Sequence, residues 1–315
     1  MITRDSSLAF FVNQLDNFDT ALHEPLTSVT WSRDIQLRPG ISMANQSTTF
    51  TRGAFARAGS LSATGKSWIG SGKRGAIPVA QVDGTPVTSP INLWAMEIAY
   101  TSVELERSQM IGQNLDNMQT QALITSYNMD VDQMVYVGDD TLGIKGLVNS
   151  TEVGASNVAV GASTLTTWIS KTADEILFDV NDAIKAAWAA SAYAVCPKVL
   201  GLPPTQYALI VGKKAGTDGA GGSILKYLED NSMSLMVNGK PLSIRPMKFL
   251  EGAGALGTQR MIAYSDDQRH VRYNLAPVRR ETPYYQGITF AAPYVAGLGC
   301  VEYIYPETAI YRDGI

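Results

Sequence analysis

Two stretches of this 315-residue chain resemble phosphate-binding loops. Gly59-Ser60-Leu61-Ser62-Ala63-Thr64-Gly65-Lys66-Ser67 resembles a P-loop, in which backbone amides cradle phosphates and the lysine reaches the terminal ones. Five residues separate its glycines where that motif needs four, no apolar strand precedes it and no helix-forming run follows. The lysine would therefore have no amide cradle to work with. Gly252-Ala253-Gly254-Ala255-Leu256-Gly257 matches the dinucleotide spacing and follows a strand-like run. That motif must open a helix whose N-terminus receives the pyrophosphate, yet Thr258–Tyr264 reads as a strand. The spacing predicts a loop between two strands.

Other reactive side chains are few and scattered. His23, His270, Cys196 and Cys300 are far apart in sequence, so zinc-ligand spacing is absent. Cys300 lies in the apolar, glycine-rich run Gly297-Leu298-Gly299-Cys300-Val301, which predicts a buried thiol. No G-x-S-x-G elbow occurs, and neither histidine has a triad partner near it in sequence. Asp139-Asp140 and Asp266-Asp267 read as solvated turns. These residues name no catalytic group, no cofactor and no metal.

The elements that would position any chemistry read as α+β. Leu8, Phe11, Val12, Leu15 and Phe18 recur at helical spacing, giving an amphipathic helix over 7–18. It packs either on its own core or, as an arm, on a neighbouring subunit. Residues 35–82 hold no acid but six bases, Arg38, Arg52, Arg57, Lys66, Lys73 and Arg74, among many glycines, serines and threonines. Too few large apolar residues occur there to bury a core, so a long two-stranded excursion with its tip near 65–75 is predicted. A loop of this length inside a compact domain is usually functional or partner-bound. Residues 91–100 alternate as a strand with Trp94, Met96, Ile98 and Tyr100 on one face. A short helix over 104–111 and a longer one ending before Gly138 follow.

Farther on, 173–190 is a strong helix, Tyr207–Val211 a short strand and Ile224–Asp230 a short helix. Lys213–Gly222 is a glycine-rich loop. Leu242–Leu250, Arg260–Tyr264, His270–Leu275, Ile288–Phe290 and Val301–Tyr305 read as strands.

Charge is sparse and sorted. Asp, Glu, Lys and Arg make up 17% of the chain and net charge is −4. About 25% is usual, and a sequence-specific DNA reader is usually basic. Hydrophobic content of 45% argues against disorder, and no apolar run spans a membrane. The first residues lack a signal-peptide pattern, which predicts a chain kept in a reducing compartment. Residues 97–140 carry eight acids, among them Glu97, Glu104, Glu106 and Asp116, against Arg107 alone. An acidic stretch beside a basic one can be satisfied within one chain or between copies. Docking across a subunit boundary would weaken in high salt.

The order of features now resembles the major capsid proteins of tailed bacteriophages, the Hong Kong 97-type shell fold that encapsulin nanocompartments share. Asp132-Gln133-Met134-Val135-Tyr136-Val137-Gly138-Asp139-Asp140 and Gly143-Ile144-Lys145-Gly146-Leu147-Val148-Asn149 resemble the signature that ends the spine helix in that family. Pro306–Ile315 is similar to its closing strand. The resemblance implies an N-terminal arm over 1–47, an E-loop over 48–88 and a peripheral (P) domain over 89–172 with a spine helix at about 113–137. It further implies an axial (A) domain over 173–274 and a return to the P domain over 275–315.

The implied function is self-assembly as pentamers and hexamers into an icosahedral head around double-stranded DNA. Arg52, Arg57, Lys66, Lys73 and Arg74 would lie over a neighbour's acidic surface at Glu97, Glu104, Glu106 and Asp116. Leu8, Phe11, Val12, Leu15 and Phe18 would strap subunits together. Implied partners are further copies, a portal, a separate scaffold or decoration protein, and packaged DNA held without sequence preference; no membrane is implied. Assembly would occur in the host cytoplasm and the product would be the virion shell. Lys66 and Lys73 lie in the loop that some members crosslink, without a matching acceptor and catalytic acid to assign that chemistry here. Two alternatives stay open at this stage: an encapsulin-type compartment, and a soluble α+β enzyme whose polar pocket composition does not reveal.

Overall fold

The basic, glycine- and threonine-rich stretch forms a β-ribbon. In the computed structural model, which describes residues 27–58, 79–111, 114–215 and 222–315, a short helix α1 (Trp31–Asp34) precedes strand β1 (Ser47–Ala58). β1 pairs antiparallel with β2 (Val79–Pro90), from Ser47 opposite Pro90 to Ala58 opposite Val79 without a break. The Thr49 and Thr88 hydroxyls hydrogen-bond across the ladder at 3.0 Å, a cross-strand pair of the kind that stabilises sheets. These two strands join no other strand among the described residues. The ribbon tip and the 7–18 segment lie outside the described residues.

β3 (Asn92–Thr101) turns Trp94, Met96, Ile98 and Tyr100 to its less exposed side, as its alternation predicts. Helix α2 (Ser102–Ile111) opens on reciprocal hydrogen bonds between Thr101 and Glu104. The long helix α3 (Leu115–Tyr136) ends in the strand pair β4 (Gly138–Asp139) and β5 (Ile144–Lys145). Gly138 has φ +77°, and a Cβ there would stand 2.3 Å from the Ile144 carbonyl oxygen. At Gly146 a Cβ would stand 2.3 Å from the Tyr136 carbonyl oxygen, so both glycines let the returning chain lie against the helix end. The main chain exploits that approach: the Leu147 and Val148 N–H groups donate to the Val135 and Tyr136 carbonyls. Asp139 accepts from the Thr141 N–H and hydroxyl, and Lys145 pairs with Asp140, so this acid pair is the turn that the sequence predicts.

β6 (Gly154–Asn157) leads to helix α4 (Ala173–Ala190), whose start is a full capping box between Thr172 and Glu175. Its buried face holds Ile176, Val180, Ala183, Ile184 and Ala187. Thr172→Ala removes one half of that box and is expected to cost about 1 kcal/mol in equilibrium urea unfolding.

The next elements correct two sequence readings. Tyr207–Val211 is not a strand but part of helix α5 (Pro204–Gly212); the strand is the preceding β7 (Val199–Leu202). Proline at the first helical turn, where no intrahelical N–H is required, starts the helix. After α6 (Ile224–Asn231) and α7 (Met233–Asn238), only β8 (Ser243–Pro246) within 242–250 is a strand; Lys248–Leu250 is a 3-10 turn. The Gly252–Gly257 run is a loop with a 3-10 turn at Ala255–Gly257, leading into β9 (Arg260–Tyr264). No helix follows those glycines, as a dinucleotide site would require.

β10 (Val271–Arg280), β11 (Tyr284–Gln286) and β12 (Thr289–Tyr303) share a four-stranded sheet with β3. Ile288–Phe290 and Val301–Tyr305, read as two strands, mark the ends of the single fifteen-residue β12. The last strand is β13 (Ile310–Asp313).

The chain divides into two compact units. One includes Trp94–Asp130 and Val278–Val295, where the Trp94 indole donates to Asp130 at 2.8 Å and meets Tyr127 edge-on. The other takes Thr30–Leu93, Val131–Pro277 and Ala296–Ile315. Its five-stranded sheet runs β6-β13-β9-β7-β8, and every residue of β7 and β9 is buried. Its core gathers Trp168, Ile176, Val180, Ile184, Leu200, Leu202, Ile210, Leu228 and Met261. Within it, Lys171 and Asp179 form a buried ion pair at 2.5 Å, with the Trp168 indole also donating to Asp179. The closing strand β13 is held by Arg260, which donates to both Asp313 oxygens at 2.7 and 2.8 Å and to the Val148 carbonyl.

Candidate functional site

The root of the β1–β2 ribbon is its fixed end. The Glu302 side chain, on β12, is fully buried there. It accepts from Thr48 and Asn274 at 2.7 Å each, from Arg272 at 2.7 Å and from Arg38 at 3.2 and 3.3 Å. Asn274 also donates to the Thr48 hydroxyl at 2.8 Å, so the ribbon's second residue is held by two side chains, Glu302 and Asn274. Burial pushes the Glu302 carboxyl up, but the hydrogen bonds from Asn274, Thr48 and Arg272 outweigh it and leave the group below its ordinary range.

A little farther along the ribbon, Arg52 donates to Glu152 at 2.5 Å and to the Tyr303 carbonyl at 2.6 Å. Its guanidinium also lies 5.6 Å from the Phe50 ring centre. Beside this contact is a cleft of about 360 Å³ lined by Phe50, Arg52, Leu142, Lys145, Glu152 and Cys300, among others. Beyond it Gly53 and every residue of Val82–Pro86 are exposed.

A second fastening holds the chain just before the ribbon. Asp34, fully buried, accepts from Arg33 at 2.7 and 2.9 Å and from the Tyr136 hydroxyl, with Arg245 at 3.6 Å. Asp132 reaches back, accepting from the Thr30 and Trp31 N–H groups at 3.0 Å, and Lys248 lies 2.8 Å from its other oxygen. Burial and the neighbouring Asp34 carboxylate drive the Tyr136 phenol far up, so it stays a hydrogen-bond donor.

The sequence-predicted site residues fall into three groups. Arg52 is engaged within its own chain. Arg57 lies on β1, while Lys66, Lys73, Arg74 and the arm residues Leu8, Phe11, Val12, Leu15 and Phe18 lie outside the described residues. The four acids all belong to the unit holding Trp94–Asp130. Glu97 is exposed and accepts from the Tyr284 hydroxyl at 3.1 Å; Glu104, also exposed, caps α2. Glu106 is exposed, and Asp116 is half-buried with the Tyr100 hydroxyl 3.5 Å away. The acidic stretch is thus not uniformly a surface, because Asp132 is buried and structural.

Sequence reasoning missed Glu302, Arg272 and Asp34, whose partners are brought together only by tertiary folding. It also missed a Ser–His pair: His270 Nδ1 lies 2.9 Å from the Ser265 hydroxyl. Ser265 is fully buried and burial lowers the His270 pKa, so the pair ties a turn to β9 without presenting a nucleophile. Cys300 is half-buried, less enclosed than its apolar context predicts, whereas Cys196 is buried. Burial pushes both thiols up, away from thiolate reactivity. Among the described residues no three His, Cys, Asp or Glu side chains are grouped to hold a metal, and no helix is long and apolar enough to cross a membrane.

A framework that fixes one end of an open ribbon fits a protein whose work is done at interfaces. The chain is similar to the capsid of Myoviridae Phage XM1 with a TM-score of 0.75 at 18% identity, covering 96% of this chain and 98% of that one. It is similar to Microbacterium phage Oxtober96 (TM-score 0.61, 12% identity, 99% of each chain). It also resembles a virus-like particle from Pyrococcus furiosus (TM-score 0.52, 14% identity, 98% and 97% covered). The fold is that of the Hong Kong 97-type capsid proteins. No curated protein matches the chain. The family model described as "Major capsid protein" matches residues 65–315. This chain belongs to the major capsid protein family.

Proposed function

We propose that copies of this chain tile as pentamers and hexamers into an icosahedral head around double-stranded DNA, with the β1–β2 ribbon laid over a neighbouring subunit. The observation that supports this is the ribbon itself. A lone two-stranded hairpin is marginal in water, and among the described residues this one pairs with no further strand and is held near its root, with Val82 70% exposed farther out. A covering surface supplies what the subunit lacks.

In this reading the arm is 1–47, the E-loop 48–88, the P domain 89–172 with 275–315, and the A domain 173–274. Arg57, Lys66, Lys73 and Arg74 meet a neighbour's Glu97, Glu104, Glu106 and Asp116, while Arg52 sets the ribbon's course within its own subunit. Leu8, Phe11, Val12, Leu15 and Phe18 strap subunits together. The role is structural and not catalytic. The net charge of −4 fits DNA contact without sequence preference. A portal, and a scaffold or decoration protein, complete the head, which forms in the host cytoplasm.

Replacing Arg57, Lys66, Lys73 and Arg74 together by glutamine is expected to abolish closed shells in negative-stain microscopy while leaving the subunit's urea midpoint unchanged. Normal shells from that variant would refute the docking. Raising salt from about 0.1 to 1 M, which shortens electrostatic range from about 10 to 3 Å, should slow wild-type assembly and leave the variant's behaviour unaltered.

A further inference from the structure

The glycine-rich run that starts at Lys213 borders a cleft of about 910 Å³. Pockets that enclose a drug-sized ligand measure about 300–1,000 Å³. The ends of the run are clamped together where α6 begins. The Ala215 N–H donates to the Gly222 carbonyl at 2.9 Å and the Ile224 N–H to the Lys213 carbonyl at 3.0 Å. Residues 216–221 lie outside the described residues and form no part of the site. The cleft is walled by the chain entering α4, by this clamp and by one flank of α6.

Its two ends differ in chemistry. Lys213, Lys214 and Lys226 meet at the start of α6. Lys213 is fixed there, its ammonium donating to the Lys171 carbonyl at 2.5 Å. Lys171 also lines the cleft but is neutralised by Asp179, so it adds no charge. Thr172 and Ser223 cap the starts of α4 and α6, so the positive charge comes from the lysines and not from open helix ends. Toward the end of α6, a span of about 12 Å for eight residues at 1.5 Å each, the lining turns to acceptors. Asp230 and Asn231 are exposed there, and Asp174 receives the Tyr227 hydroxyl on one of its two oxygens at 2.8 Å. An ionised carboxylate only accepts, so the groups suited to Asp174 and Asp230 carry O–H or N–H donors. A ligand anionic throughout would set like charge against both. We infer that this cleft binds a nucleoside polyphosphate, with its phosphates on Lys213, Lys214 and Lys226 and its sugar hydroxyls and base edge toward Asp174, Asp230 and Asn231. Lysine serves phosphate as a point charge, and the Tyr227 ring offers a face to the base. The inference does not rest on ribbon docking, so its failure leaves that reading untouched.

The test uses the full-length chain in equilibrium dialysis with ATP, inorganic tripolyphosphate or adenosine as the probe. ATP is expected to bind about tenfold or more tightly than tripolyphosphate, and adenosine more weakly still. Lys214→Gln with Lys226→Gln should weaken ATP about tenfold or more, the range for losing hydrogen bonds to a charged group, with an unchanged urea midpoint. Lys185→Gln with Lys240→Gln removes exposed lysines outside the cleft and should leave ATP binding unchanged. An equal loss in that variant would mean general attraction to a cationic surface and would overturn the site. Absence of ATP binding, tripolyphosphate binding as tight as that of ATP, or undiminished binding by the folded Lys214 and Lys226 variant would each overturn it too. Without any substitution, irradiation with 8-azido-ATP should label residues 227–231, and labelling confined to other regions refutes the assignment. Should the lysine variant not fold, the photolabel decides.

Discussion

Glu302→Ala is expected to loosen the ribbon at its root and to cost the subunit about 3–5 kcal/mol, the range for removing one partner of a buried ion pair. The reason lies in what remains. Arg38 and Arg272, whose side chains are 24% and 16% exposed, would face each other without the carboxylate that now lies between them. Asn274 and Thr48 would lose their shared acceptor. Glu302→Gln keeps the shape and one acceptor oxygen but not the charge, so it should fall between wild type and alanine. Equilibrium urea unfolding measures the loss, and hydrogen exchange localises it: the amides of Thr48–Arg52 and Val87–Ser89 should exchange faster while those of β7 and β9 stay protected until global unfolding. Uniform loss of protection would mean that Glu302 serves the whole sheet and not the ribbon.

The same group sets an acid limit. The folded carboxyl lies below its unfolded pKa, so its contribution is complete above the unfolded value, near pH 4.5, and is lost as pH falls through the depressed folded value. Glu302→Gln should flatten that part of the stability profile. An unchanged profile in the variant would assign the acid limit to other carboxylates.

Much of this architecture was legible because its signals are local. The ribbon followed from a run of Thr, Ser and Gly without a core's worth of apolar residues, and α4 from a periodic face behind Thr172 and Glu175. Where local signals conflict, the reading failed. Tyr207–Val211 is too short and too uniformly apolar for periodicity to separate strand from helix, and the decisive cue was the proline pair Pro203-Pro204 before it. Long β12 looked interrupted because it contains Pro293, Gly297 and Gly299, residues that usually punctuate. Here Gly299 is a packing device: a Cβ would stand 2.6 Å from the Asn274 side chain, beside the Glu302 network. That network was illegible for a simpler reason. Residues 38, 48, 272, 274 and 302 share no spacing, and only the paired sheet brings them together. The charge split was read correctly as a pattern, yet Asp132 and Arg52 show that some of those charges hold the subunit itself together.

Asp34→Ala is expected to be the other large loss, again about 3–5 kcal/mol, because it leaves three donors around a fully buried vacancy. Arg33, Arg245 and the Tyr136 hydroxyl all converge on this carboxylate, and the Tyr264 hydroxyl donates to the Asp34 carbonyl at 2.7 Å. The carboxylate joins α1 to the end of α3 and to β8, and the carbonyl of the same residue adds β9, so the side chain itself fastens the chain after residue 29 to two elements of the core. Asp132 repeats the link from the helix side through Thr30 and Trp31. Asp34→Asn retains size and an acceptor and should lose less than alanine. Faster hydrogen exchange at Arg33–Ile35 and Val135–Val137 in both variants would localise the damage, since the amides of Arg33, Ile35 and Val137 close the adjoining helical turns. If residues before 30 act as a strap on a neighbouring subunit, tension in that strap is delivered to the core through this carboxylate. Asp34→Asn, folded but loosely fastened, should then assemble into shells that come apart at lower urea than wild type by more than its subunit midpoint falls. Equal shifts in shell and subunit would confine Asp34 to stabilising the fold.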